Sequence, residues 1–154
     1  MIGSSQSAEM AHSQVKAPQV RETRGMETVD EDEGDWHEIR VLDNRVRRGE
    51  VLELTDNVCD LLKRTAPTVA IPEADADAAL SCMENGTALL HEIRRRITEG
   101  SNRLVDALHR MYQLRDRGDL DGARDQMCCV LAVEVVPLYR EVAEGEIEKL
   151  DRLS

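Results

Sequence analysis

Apolar residues recur at three- and four-residue intervals through most of the chain after residue 35, the spacing of one helix face. The clearest run is 101–140. Its first arm carries Leu104, Leu108, Met111, Tyr112 and Arg115 at helical spacing, with Val105 widening the stripe. Ser101 suits the N-cap, because its hydroxyl can accept a bond from an unpaired backbone N–H of the first turn. Gly118 suits the left-handed stop, and Arg115 and Arg117 place cations at the negative end of the helix dipole. The second arm, capped by Asp119 or Asp121, carries Ala123, Met127, Val130, Leu131, Val135 and Leu138. Pro137 lacks an N–H and crowds the carbonyl of Val133, so this arm must kink or break there. The pattern predicts a central antiparallel helix hairpin. Its turn looks like that of a tetratricopeptide-type hairpin, but no second copy follows at a period of about 34 residues.

The flanking segments read as further helices. One spans 35–48, with Trp36, Ile39, Leu42 or Asp43, and Val46 on one side and Gly49 as its stop. Trp36 is expected as a core anchor. Thr55 caps a short helix with Val58, Leu61 and Leu62 inward. Val51–Leu54 and Thr68–Ile71 are apolar enough to pair as a tiny two-stranded ribbon. Pro72 suits the first position of a long helix through Ala76, Leu80, Met83, Thr87, Leu90 and Ile97 to Gly100, with Ile93 alongside the stripe. A last helix after Pro137 carries Leu138, Val142, Ile147, Leu150 and Leu153. The expected architecture is all-α: a small bundle of about five helices in a single domain, 35–154. Residues 1–34 read as a disordered acidic and polar tail, with Met26 an alternative start.

Composition narrows the function. The 154 residues are 41% hydrophobic with no Phe, so a core must come from Leu, Val, Ile, Met and Ala. Net charge is −11; 3 basic and 7 acidic residues precede Gly34, and 17 basic and 24 acidic follow it, so the acidity is general. Nucleic acid needs clustered positive charge and aromatic stacking platforms. Arg94-Arg95-Arg96 is the best cluster, yet three consecutive helical residues span about 200° of circumference and cannot share one ligand. Nucleic acid is therefore not expected as a partner. Cys59, Cys82, Cys128 and Cys129 show no C-x-x-C or zinc spacing and read as buried free thiols of a reducing cytoplasm. No apolar run approaches a membrane span of about 18 residues, and no secretory signal is visible.

Residues 35–150 resemble the DUSAM domain, a paralogous family found in myxobacteria. The resemblance rests on Asp35-Trp36 with Ile39-Arg40, Gly49-Glu50 followed by Leu52 and Leu54-Thr55, Val69-Ala70-Ile71, and Leu89-Leu90 with Glu92-Ile93. Arg96-Ile97, Gly100-Ser101 with Arg103-Leu104, and 110–116 extend it. Its most specific parts are 118–124 (GDLDGAR) and 131–140 (LAVEVVPLYR). The resemblance implies a one-domain bacterial, cytoplasmic protein, and carries over no catalytic residue.

Searched for chemistry, the chain offers little. There is no H-E-x-x-H, phosphate loop or nucleophile elbow. Asp119-Leu120-Asp121-Gly122 lacks the closing Glu of a calcium loop, which falls on Cys128. His91 and Glu92 are adjacent and diverge on a helix; His109 near Asp106 and Asp116 reads as a solvated face. No catalytic residue, metal or cofactor is expected. The favoured reading is a non-enzymatic module holding a protein partner, in a groove or on an apolar stripe near Pro137. Asp121, Asp125, Glu134 and Tyr139 are the candidate exposed contacts, with Tyr139 alternatively a core residue holding its hydroxyl out. The alternatives are an immunity-like inhibitor of a basic toxin or enzyme, and a small enzyme using Cys128, Cys129 or a histidine.

Overall fold

A computed structural model describes the backbone of residues 23–154 and the side chains from Gly34 onward. Expectations for residues 1–22 lie outside that range. Residues 35–154 form one compact unit. Six α-helices occur among the described residues: α1 Thr23–Arg47, α2 Asp56–Thr65, α3 Glu73–Ala79, α4 Met83–Asp116, α5 Leu120–Val133 and α6 Pro137–Leu153. A 3₁₀ turn, Ala66–Val69, joins α2 to α3. The all-α bundle is as the periodicity requires.

Local signals act where they were read. Gly49 (φ 106°) follows α1, and Gly118 (φ 86°) turns the chain between α4 and α5. Thr55 accepts from the Val58 N–H at 3.2 Å, and Asp119 Oδ1 accepts from the Gly122 N–H at 2.9 Å. Pro137 begins α6, where its missing N–H leaves no bond unmade.

Four boundaries differ from expectation, each for a physical reason. The α1 backbone begins at Thr23 rather than near Asp35, so the stretch 30–33 (DEDE), expected in the disordered tail, lies inside the helix; Glu is a good helix former. No ribbon forms. Pro67 presets the backbone of a 3₁₀ turn, and Val69 and Ile71 are buried by it rather than laddered to Val51–Leu54. The helix expected from Pro72 to Gly100 is interrupted at Leu80–Cys82. Cys82 is extended (φ −149°, ψ 161°) and caps α4, its Sγ accepting from the Asn85 N–H at 3.4 Å. Met83 consequently faces solvent, at 49% exposure.

The largest difference is at Gly100-Ser101, where α4 does not stop. It runs 34 residues, about 51 Å at 1.5 Å per residue. Its buried face reads Gly86, Leu90, Ile93, Ile97, Gly100, Leu104, Ala107, Met111, an unbroken alternation of four- and three-residue steps. Gly100 is thus a member of the seam, and its missing side chain makes room for a neighbour. A Cβ there would lie 2.6 Å from Tyr139 Cδ2 and 2.8 Å from Glu134 Oε2.

The seam is covered by α5, which returns antiparallel along α4, and by α6 behind it. Ala123, Met127 and Val130 of α5 are buried against it. The wider edges expected of this face are outside: Val105 is 59% exposed and Val135 46%. Val135 lies in the extended link Glu134–Val136, where successive side chains alternate, so Val136 turns in and Val135 out. Tyr112 is also at the surface, with the Arg115 guanidinium 4.8 Å from its ring centroid. α1 joins this core through Trp36, 3% exposed. Its ring meets Tyr139 edge-on at 5.6 Å, and its Nε1–H donates to Thr68 Oγ1 at 3.0 Å.

Two glycine substitutions separate these effects. Gly100→Ala is expected to destabilise by about 1–3 kcal/mol, because overpacking against a buried ring exceeds the gain in helix propensity. Gly145→Ala, in α6 with nothing within 4 Å of the added carbon, is expected to stabilise by up to about 1 kcal/mol. Urea unfolding midpoints of the two variants should move in opposite directions.

Candidate interaction surface

The four residues expected to make exposed contacts divide in two. Asp121 and Asp125 are exposed on α5, and Asp121 pairs with Arg124 at 2.9 Å. Glu134 and Tyr139 are buried, at 3% and 8% exposure, and are not free for a partner. Glu134 ends α5 and spends its carboxylate on the break that follows. Oε2 accepts from the Val135 and Val136 N–H groups at 3.1 and 2.9 Å, and Oε1 from Arg103 at 2.6 Å. Arg140 closes the corner from outside by donating to Leu131 O and Glu134 O, both at 2.8 Å. The Tyr139 hydroxyl donates to Ile97 O at 3.1 Å, so it too is turned inward. The link's buried and part-buried backbone groups needed acceptors and donors once the helix stopped, and these side chains supply them.

A second buried carboxylate fastens α1. Asp43 is fully buried; it pairs with His91 of α4, accepts from Arg47 Nε at 2.7 Å and faces Arg94 at 3.5 Å. Of the two residues left open for that stripe position, Asp43 is the fully buried one and Leu42 is partly buried. The stretch Arg94-Arg95-Arg96 divides as the helix geometry requires. Arg94 donates to Arg40 O and Asn44 Oδ1, Arg95 to Glu92 and Glu99, and Arg96 to Glu92 and to Val69 O and Ala70 O. The hydrogen bond from Arg95, with help from Arg96, holds the Glu92 carboxyl below its usual range despite some desolvation. A cleft of about 170 Å³ beside the Pro137 break is lined by Val133, Val135 and charged residues already paired, Arg95 with Glu99, Arg103 with Glu134 and Arg96 with Glu92 outside it. These cations are committed inside the fold.

The remaining candidates do not converge. Cys82, Cys128 and Cys129 are exposed and Cys59 is half-buried, against the expectation of buried thiols. On α5 the inward positions are taken by Met127 and Val130, which turns the cysteine pair outward. His109 lies on an exposed face beside Gln113, 3.4 Å away. Among the described residues no group of three His, Cys, Asp or Glu side chains could hold a metal ion. None of the described helices is long and apolar enough to cross a membrane.

What the surface does offer is a groove between α1 and α2. Two adjoining concavities, of about 430 and 260 Å³, share Leu42, Arg45 and Val58. Val41, Leu42, Arg45 and Val46 of α1 and Val58 and Leu61 of α2 form the walls. Val51 and Leu52, on the link between the helices, extend the apolar lining. Val51 is 70% exposed, the most exposed large hydrophobic side chain among the described residues, and Val41 is 42% exposed. The signal was present in the sequence, as Val51 in an apolar link, but it was spent there on a strand pairing. Glu38, Glu50 and Glu53 line the same groove, with Arg45 bonded to Glu50 at 2.9 Å.

Fold and surface together define a small all-α domain with a solvent-open apolar groove and no converging polar centre among the described residues. Residues 34–150 match the family described as "Protein of unknown function (DUF2379)", and the chain belongs to that family. No curated protein and no solved structure matches it.

Two measurements check the roles of the carboxylates. Glu134→Ala is expected to cost about 2–4 kcal/mol in chemical denaturation, since it takes the acceptor from the buried Val136 N–H, the part-buried Val135 N–H and Arg103. Asp121→Ala and Asp125→Ala should each stay within about 0.5 kcal/mol of the parent. For Glu92 the sign follows from its lowered folded-state pKa. Its pairing adds stability above the unfolded carboxylate range, and that stability is lost as pH falls through the depressed value. The stability gap between parent and Glu92→Gln should therefore be open at pH 7 and close below about pH 4.

Proposed function

We propose that this chain is a non-enzymatic protein-binding module whose docking surface is the α1–α2 groove. The observation that carries this reading is Val51, 70% exposed at the rim of a concavity floored by Leu42, Val46 and Leu52. Covering such side chains removes apolar surface from water at about 25 cal/mol per Å², which rewards any partner shaped to fill the groove. Contacts of this kind concentrate binding energy in a few buried anchors ringed by polar residues. The wider surface, at net charge −11, favours encounter with basic proteins. The resemblance to the DUSAM domain supports a bacterial, cytoplasmic setting in a myxobacterium.

A photo-crosslinking residue placed at Val51 of the full chain tests this in the native cell. The expected result is a discrete protein adduct at Val51, with none when the same residue replaces Val105 on α4, which is 59% exposed but outside the groove. Absence of an adduct at Val51, or identical adducts at both positions, would overturn the assignment.

A further inference from the structure

Resting on that reading, we infer that the occupant of the α1–α2 groove is an amphipathic helix of a partner protein, apolar on one face and flanked by Lys or Arg. The shape argues for a helix. Both long walls are themselves helices, α1 contributing Glu38, Val41, Leu42, Arg45 and Val46 at three- and four-residue steps and α2 contributing Asn57, Val58 and Leu61. The lining stretch of α1 from Glu38 to Val46 runs for about 12 Å at 1.5 Å per residue, the length of about two turns of an entering helix with anchors at i, i+3, i+4 and i+7. Val51, at 70% exposure, and Val41, at 42%, supply apolar surface for such anchors to cover.

The charge argues for basic flanks. The lining holds three carboxylates, Glu38, Glu50 and Glu53, against one cation, Arg45, which Glu50 already neutralises at 2.9 Å. Glu38 and Glu53 are exposed and left over. Glu38 lies in the field of Arg64, whose guanidinium is tied to Asp35, so Glu53 is the stronger electrostatic handle. A second copy of this chain is disfavoured as occupant, because it brings another net −11 to an acidic rim.

Two synthetic probes test the inference against the full-length chain at physiological salt. Both are helical peptides of about 15 residues with one leucine face, the first with Lys flanks and the second with Glu flanks in their place. Fluorescence anisotropy should show the Lys-flanked probe binding at least about tenfold tighter than the Glu-flanked one. Val51→Asp and Glu53→Lys should each weaken it by about tenfold or more, and Val105→Asp should leave it unchanged, with folding of every variant checked by circular dichroism. Equal binding of the two probes, binding of neither, or a loss at Val105→Asp equal to that at Val51→Asp would each overturn it. A Val51 adduct formed in cells alongside failure of both probes would leave the module reading standing and remove only the basic helix.

Discussion

A side chain that is missing lets the rest of this bundle close. Gly100 sits in the middle of the α4 seam, and the Tyr139 ring and the Glu134 carboxylate occupy the space a Cβ would need. From that position Tyr139 bonds Ile97 O and meets Trp36 edge-on, so one aromatic residue of α6 ties the seam helix to α1. Glu134 meanwhile caps the link that aims α6 at the seam. Close packing makes such a contact all-or-none, since the core has no spare volume into which a displaced ring could move.

Around this contact, the charged residues act mostly as fasteners. Among the described residues Asp43 and Glu134 are the two buried carboxylates, and each is matched by arginine, with His91 added at Asp43. A buried charge left without such partners would cost several kcal/mol, so each pair fixes where its two helices meet. The consequence for function is subtractive. The arginines that looked most available for a ligand are engaged with the fold's own carboxylates and carbonyls, whereas the groove between α1 and α2 holds exposed apolar side chains with no such internal task.

Much of the helical framework was legible in the residues. The turn at Gly118, the caps at Thr55 and Asp119, the core role of Trp36 and the break before Pro137 all stand where local chemistry placed them. The misreadings share one origin. Residue preference alone makes Gly100 a terminator, Thr68–Ile71 a strand and Glu134 a surface acid. In the fold, a ring from α6, a proline-set 3₁₀ turn and an arginine from α4 overrule those preferences. Of the candidate contacts, Asp121 and Asp125 stay outside; among the described residues Asp121 meets only Arg124 of its own helix, with no partner from another helix to draw it in as Arg103 draws Glu134.

The sequence by itself determined that this chain is helical, which faces its hairpin buries, and how several of its helices start and stop. Those features depend on partners three or four residues away, and such partners can be read along the chain. Only the tertiary structure decided that α4 runs unbroken past Gly100, that Glu134 and Tyr139 turn inward, and that Val51 overhangs an open groove. Each of these outcomes depends on which distant side chain arrives at a given spot, and arrival is set by the packing of whole helices.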